Sequence, residues 1–449
     1  MSNRTPAPPF VDGLYEKFVE YGIRYFFPTA RLEAISTTAR PDSQRITENP
    51  DGSSLTLNWM GAQYVLDNGK PFGDSEMRLL KSIGAVLDSR YRMIRDQSLV
   101  EQRFELFRGL PEDRYVSAFI DSHPYAGKVW EGPDRVEDVI EVLRTTALST
   151  YENRRISTGT LLFGTQPDPC HTPPTTPPGA LRYSLALTSI RSFYRLCDGL
   201  QTLALVDQEG RLAEVIDVEQ WAEPFSNTEL PVPSADRYGT HTRATLCGGH
   251  ICMILTPNGE MKIIANGVQV FRFLDGRWRL TDAELKYEMW HSAIGNSELA
   301  RRLFVAALNL AEDRRGGLLV VLENPDSIAK LVSTTDLLSS LPDYGPLPVS
   351  GSKDQLHYLL HQKRVLELPT AVLETVARID GGIVLDRDSN LLAFGAILRH
   401  QDLTEFHPEN IEGGRTTAAI AASRFGDVLK VSEDGLISFF QNGQCIWDM

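Results

Sequence analysis

The sequence predicts an α/β protein made of tandem units, each a mixed β-sheet flanked by helices, behind an N-terminal α+β region. Three observations predict it. An amphipathic helix, a paired arginine and an apolar strand recur in the same order in "ALSTYENRRISTGTLLFG" (147–164) and "ALNLAEDRRGGLLVVLE" (307–323). Asp-Gly followed by a strand, an acidic turn and a return strand occurs at 196–215 and again at 378–395. Two hairpins that each end in Asn-Gly follow, "ICMILTPNGEMKIIANG" (251–267) and "VLKVSEDGLISFFQNG" (428–443). Helices alternating with strands in this way give a sheet with helices on its faces.

Residues 1–130 open with the amphipathic "LYEKFVEYGIRYFF" and the turn-rich "ENPDGSSLTLNW". A helix is expected from about Asp74 to Phe107, with Ser75 as its cap and Leu79, Ile83, Leu87 and Tyr91 on its apolar face. We read this region as sensory or regulatory. The first unit spans 131–280, where Val139, Leu143 and Ala147 match Leu299, Leu303 and Ala307 of the second unit, 290–449. "YGTHTRATL" (238–246) matches "EGGRTTAAI" (412–420). Pro-rich "TQPDPCHTPPTTPPGA" (165–180) and "SSLPDYGPLPVSGSKD" (339–354) read as long connections. Trp278 and Trp290 bracket the segment joining the units and are expected to be buried at their interface.

Composition narrows the function class. A net charge of −14 gives no electrostatic footprint for nucleic acid, although one basic pocket for a small anion remains compatible with it. Neither an N-terminal signal sequence nor a run of about 18 apolar residues is seen, so no membrane association is expected. The scattered Cys170, Cys197, Cys247, Cys252 and Cys445 read as reduced thiols of a cytoplasmic protein.

The residue types that carry chemistry gather in the second unit. Asp380-Gly381-Gly382 sets a carboxylate on a strand start stripped of side chains, although glycine weakens strands. Gly413, Gly414, Arg415, Thr416 and Thr417 precede an Ala-rich helix, where backbone N–H groups and a forked cation suit an anion. Glu433 and Asp434 lie in a hairpin turn, with Glu433 placed to hold a divalent ion. The first unit keeps Asp198-Gly199, His241 and Arg243 but has Thr256-Pro257-Asn258-Gly259 in place of the acidic turn. Cys247, His250 and Cys252 have donor atoms for zinc at an unusual spacing, and a strand edge is the preferred reading. His357 and His361 read as a solvated helix face.

These residues of the second unit resemble the diadenylate cyclase domain of the DNA-integrity scanning protein and its membrane-bound relatives, over about 296–449. "DGGIVLDRDSNLLAFGAIL" is close to the family's Asp-Gly-Ala strand and its return strand. "GGRTTAA" stands where the family has Gly-Thr-Arg-His-Arg-Ala-Ala, and "VSEDGLISFFQNG" where it has Val-Ser-Glu-Glu, a strand and a terminal glycine. The resemblance implies condensation of two ATP molecules to cyclic di-AMP with release of pyrophosphate, across two facing domains, with Mg2+ or Mn2+. It implies that Asp380 acts on the ribose 3′-hydroxyl and that Gly381 and Gly382 allow close approach of the nucleotide. Gly414, Arg415, Thr416 and Thr417 would lie at the phosphates, and Glu433 at the metal. Thr416 and Thr417 replace the family's His and second Arg, and one such lost contact removes roughly 2–4 kcal/mol of transition-state stabilisation. An impaired, nucleotide-sensing relative is therefore the alternative. The facing pair is expected to be either a homodimer or an intrachain pseudo-dimer in which His241 or Arg243 supplies the missing contacts. The scanning protein's helical and DNA-binding domains are not expected here, since only six residues follow Gly443 in this sequence.

Overall fold

A computed structural model of the chain describes residues 9–35, 45–95, 107–126, 133–190, 192–338, 359–360, 363–399 and 413–449. His357, His361 and the second Pro-rich connection, 339–354, lie outside the described residues. The chain divides into two compact units, Met1–Thr228 with Thr240–Thr281, and Glu229–Gly239 with Asp282–Met449. Among the described residues no helix is long and apolar enough to cross a membrane.

In the first unit, strands β1 (Arg31–Ile35), β2 (Arg45–Glu48), β3 (Ser54–Trp59) and β4 (Ala62–Asp67) form an antiparallel sheet in the order β1-β4-β3-β2. The helix Asp74–Arg95 follows, and Leu79, Ile83, Leu87 and Tyr91 are buried along it as their spacing requires. Its start is held by Glu76, whose carboxylate accepts from the Gly73 N–H at 3.0 Å, the reciprocal half of a capping box; Ser75 has no such bond among those described. One hydrophobic core runs without a break from Val19 to Trp278, so residues before 131 pack into the same unit as the first repeat.

After the ribbon β5 (Thr150–Tyr151) and β6 (Arg154–Arg155), the first repeat builds seven strands: β7 (Thr158–Leu162), β8 (Thr202–Val206), β9 (Leu212–Asp217), β10 (Ile251–Leu255), β11 (Met261–Ala265), β12 (Val268–Leu274) and β13 (Arg277–Leu280). Their order is β9-β8-β7-β10-β11-β12-β13. The second unit has six: β14 (Gly317–Leu322), β15 (Gly382–Asp386), β16 (Leu391–Ala396), β17 (Gly426–Val431), β18 (Ile437–Gln441) and β19 (Gln444–Asp448), in the order β16-β15-β14-β17-β18-β19. Setting β13 aside, the two orders coincide. Each sheet has one parallel pair, β7 with β8 and β14 with β15, and every other neighbour is antiparallel. Both sheets are therefore mixed, and β7, β10, β14, β15 and β17 are buried at every position, as the central strands of a sheet covered on both faces should be.

One arginine of each pair, the second in the first unit and the first in the second unit, has the same task. Arg155 donates through Nη1 to the Asn258 carbonyl at 2.8 Å, and Arg314 donates to the Asp434 carbonyl, so each pins the turn of its unit's hairpin. The preceding helices, Arg135–Ala147 and Ser297–Glu312, bury Val139 and Leu143, and Leu299, Leu303 and Ala307. Trp278 and Trp290 are both buried, each with partners in its own unit. Trp278 donates to Asp113 Oδ1 (2.7 Å) through its indole and to the Tyr25 hydroxyl (2.7 Å) through its backbone. Trp290 donates to the Ala300 carbonyl at 2.9 Å and sits edge-on to Phe439. The segment Glu229–Gly239 belongs to the second unit, where Asp236 and Asn309 exchange two hydrogen bonds of 2.8 Å.

Candidate functional site

The register of the second sheet decides which residues meet. Gly317, at the start of β14, pairs with Val431 at the end of β17, and β15 starts parallel to β14 at Gly382. Asp380, Gly316 and Glu433 therefore all emerge at one edge of the sheet. The helix Gly414–Ala422 starts at the same edge: Arg415 Nη1 donates to Glu433 Oε1 at 2.9 Å, and Gly316 lets the guanidinium lie against the backbone. Four of the sequence candidates, Asp380, Gly414, Arg415 and Glu433, thus share one locality.

Their environments differ. Asp380 is exposed on a bend before β15. Glu433 is 71% exposed and Arg415 39%, so their ion pair is solvent-screened and easily exchanged for other partners. Gly413 and Gly414 face open space, since an added Cβ would meet nothing within 4 Å at either. Gly381 is different. Its φ is +112°, and an added Cβ would lie 2.5 Å from the Gly395 carbonyl carbon and 2.7 Å from Ala396 N and O. The return strand β16 therefore demands this glycine on stereochemical grounds. Gly382 is not so constrained, because its added Cβ would make ordinary 3.5 Å contacts with Leu318 and Leu398.

Sequence reasoning missed Lys430. It lies on β17 with its residue 9% exposed, and its ammonium donates to Thr416 Oγ1 at 3.2 Å and sits 5.8 Å from the Phe440 ring centroid. A cation is thus supplied from the strand beside Thr416. The signal available was a lone lysine inside the apolar "DVLKVS", which reads equally well as a solvent-facing strand position. Thr417 Oγ1 donates to the Gly413 carbonyl at 3.4 Å and tightens the first helical turn.

The matching residues of the first unit are occupied. Asp198 Oδ1 accepts from the N–H groups of Leu200, Gln201 and Thr202 at 2.8–3.0 Å. Burial works to raise its carboxyl, but those N–H groups outweigh it and hold the group below the usual range. His241 is 1% exposed and donates through Nε2 to the Gly199 carbonyl at 3.1 Å. Burial pushes its ring down to about 4, against the opposing pull of that bond, so it is neutral at physiological pH. Arg243 is half-buried in the short helix Gly239–Arg243.

Of Cys247, His250 and Cys252, Cys252 is fully buried inside β10, whereas His250 meets Asp168 and His171 from the first Pro-rich connection. Those partners lie about 80 residues away in the chain, and no local spacing shows them.

No family model matches the chain, and no curated protein matches it. Solved structures similar to it include a hypothetical membrane spanning protein from Bacillus cereus, 23% identical over 36% of this chain and 69% of that one, with a TM-score of 0.26. DacA from Staphylococcus aureus, solved as a double mutant, is 19% identical over 36% of this chain and 89% of its own, with a TM-score of 0.20. Both similarities are weak.

Proposed function

We propose that the second unit binds ATP with a divalent cation and condenses two ATP molecules into cyclic di-AMP, or a related cyclic dinucleotide, with release of two pyrophosphates. The observation that carries this reading is the assembly at one sheet edge of a solvent-open carboxylate, Asp380, with Arg415, Lys430, the Gly413-Gly414 turn and Glu433. In each half-reaction a ribose 3′-oxygen forms a bond to the α-phosphorus of the facing ATP, and the bond from that phosphorus to the bridging oxygen breaks. Asp380 accepts the hydroxyl proton. Arg415 and Lys430 balance the phosphate charge that shifts toward the leaving pyrophosphate. Glu433 fits Mg2+ or Mn2+, being an exposed oxygen donor of the kind that holds such an ion together with substrate phosphates. The ion would neutralise phosphate charge.

Two such faces are needed for a cyclic dinucleotide. Asp198 is consumed by its own turn and His241 by Gly199, which favours a homodimer of second units over an intrachain pseudo-dimer. Regulation by the residues before 131 would then act through the first unit, whose core they share.

A second reading, an impaired sensor that binds nucleotide without turning it over, is favoured by Thr416 and Thr417 standing where the family has His and Arg. Calorimetry tests the site common to both readings. Arg415→Ala is expected to weaken ATP binding, measured with Mg2+ or Mn2+, by roughly 1.5–3 kcal/mol, and Lys430→Met by a similar amount. Wild-type affinity in both variants would move the phosphate site elsewhere.

A further inference from the structure

We propose that Asp168, His171 and His250 of the first unit form a binding site for a zinc-class divalent transition ion, clasping the first Pro-rich connection to the start of β10. The three side chains are 2%, 12% and 1% exposed, and their donor atoms all lie within 4.8 Å of one another. Asp168 Oδ2 is 2.8 Å from His171 Nδ1 and 2.7 Å from His250 Nε2. Imidazole and carboxylate donors in this number are the donor set of open zinc sites, with a fourth position left for water or another ligand.

The surroundings of His171 point to an ion rather than to a hydrogen-bonded cluster alone. Its Nε2 lies 3.0 Å from the Trp221 carbonyl, and its Nδ1 faces the Asp168 carboxylate. Both partners are acceptors only, and a neutral ring has a single N–H, so without a metal one of the two contacts lacks a donor. An ion supplies the partner for the other nitrogen. The neutral ring then donates Nε2–H to Trp221 and gives the Nδ1 lone pair to the metal, which is how ligating histidines are usually oriented. The ring is also fixed in plane, stacked on the Trp221 indole at 3.9 Å and 5°. Asp168 is oriented in the same manner, since its Oδ1 accepts the Cys170 N–H at 2.8 Å and leaves Oδ2 for the ion.

Room beside the donors is kept by Gly248, where φ is +70° and an added Cβ would lie 2.6 Å from His250 Nε2 and 3.0 Å from Asp168 Oδ2. His250 is the weakest of the three ligands. Its Nδ1 accepts the Gly164 N–H at 2.9 Å, which keeps the proton on Nε2, and binding a metal there requires giving up that bond. An ion on Nε2 therefore requires the His250 proton to move to Nδ1.

Metal content and thermal stability of the full chain test the site. After chelator treatment and re-addition of Zn2+ at micromolar concentration, mass-spectrometric elemental analysis is expected to find one zinc per chain. The melting temperature should rise by several degrees over the chelator-treated protein, because an ion bound only by the folded state stabilises it. Co2+ should give the visible absorption of a low-coordinate site. His171→Ala should weaken Zn2+ binding at least tenfold while its circular dichroism stays that of the wild type. Wild-type protein that retains no zinc and melts at the same temperature with Zn2+ and with chelator overturns the proposal. So does a folded His171→Ala variant that binds zinc as tightly as wild type.

Discussion

Asp380→Asn is expected to lower cyclic dinucleotide formation by roughly 100- to 10,000-fold, the range for loss of a positioned general base. ATP affinity should stay within a few-fold. The asparagine keeps the size and polarity of the side chain but cannot take the 3′-hydroxyl proton, and that transfer matters only as the new bond to phosphorus forms. Asp380 is exposed on a bend, so the substitution leaves the core untouched and a loss of product reports on chemistry. Product analysis by mass spectrometry, with calorimetry on the same preparation, separates the two effects. A variant that forms product at the wild-type rate would remove the carboxylate from the mechanism.

Gly381→Ala is expected to destabilise the second unit by about 3 kcal/mol or more, at the upper end for single substitutions. At φ +112° a side chain is strained, and the atoms it would meet are backbone atoms of Gly395 and Ala396 in the neighbouring strand. Neither can withdraw without opening the pairing of β15 with β16. Denaturant titration should show the lowered midpoint in the absence of any nucleotide. A Gly381→Ala protein of wild-type stability that no longer binds ATP would give the glycine back to nucleotide approach.

The contrast between the two Asp-Gly pairs shows what a sequence can carry. The repeat was legible because hairpins, helix faces and the paired arginine follow fixed spacings, and those spacings produce two sheets of the same order. The fates of Asp198 and Asp380 were not legible. β8 starts at Thr202 and β15 at Gly382, so Asp198 has a longer turn to cap and spends its carboxylate on that turn's N–H groups. Asp380 has only Gly381 between it and the strand. Lys430 was hidden for a different reason. A lysine on a strand announces its face only through the register, and here β17 turns it toward Thr416 under the helix Gly414–Ala422. Asp168 and His250 meet only because β7 pairs with β10, which brings the residues after one strand to those before the other.

Incubation of the full chain with ATP and Mn2+ or Mg2+, followed by mass spectrometry of the products, tests the central claim most directly. The account predicts cyclic di-AMP or a related cyclic dinucleotide together with pyrophosphate. The rate per chain should rise with protein concentration, as expected when two second units must face each other. ATP recovered intact at every protein concentration and with either ion would contradict it.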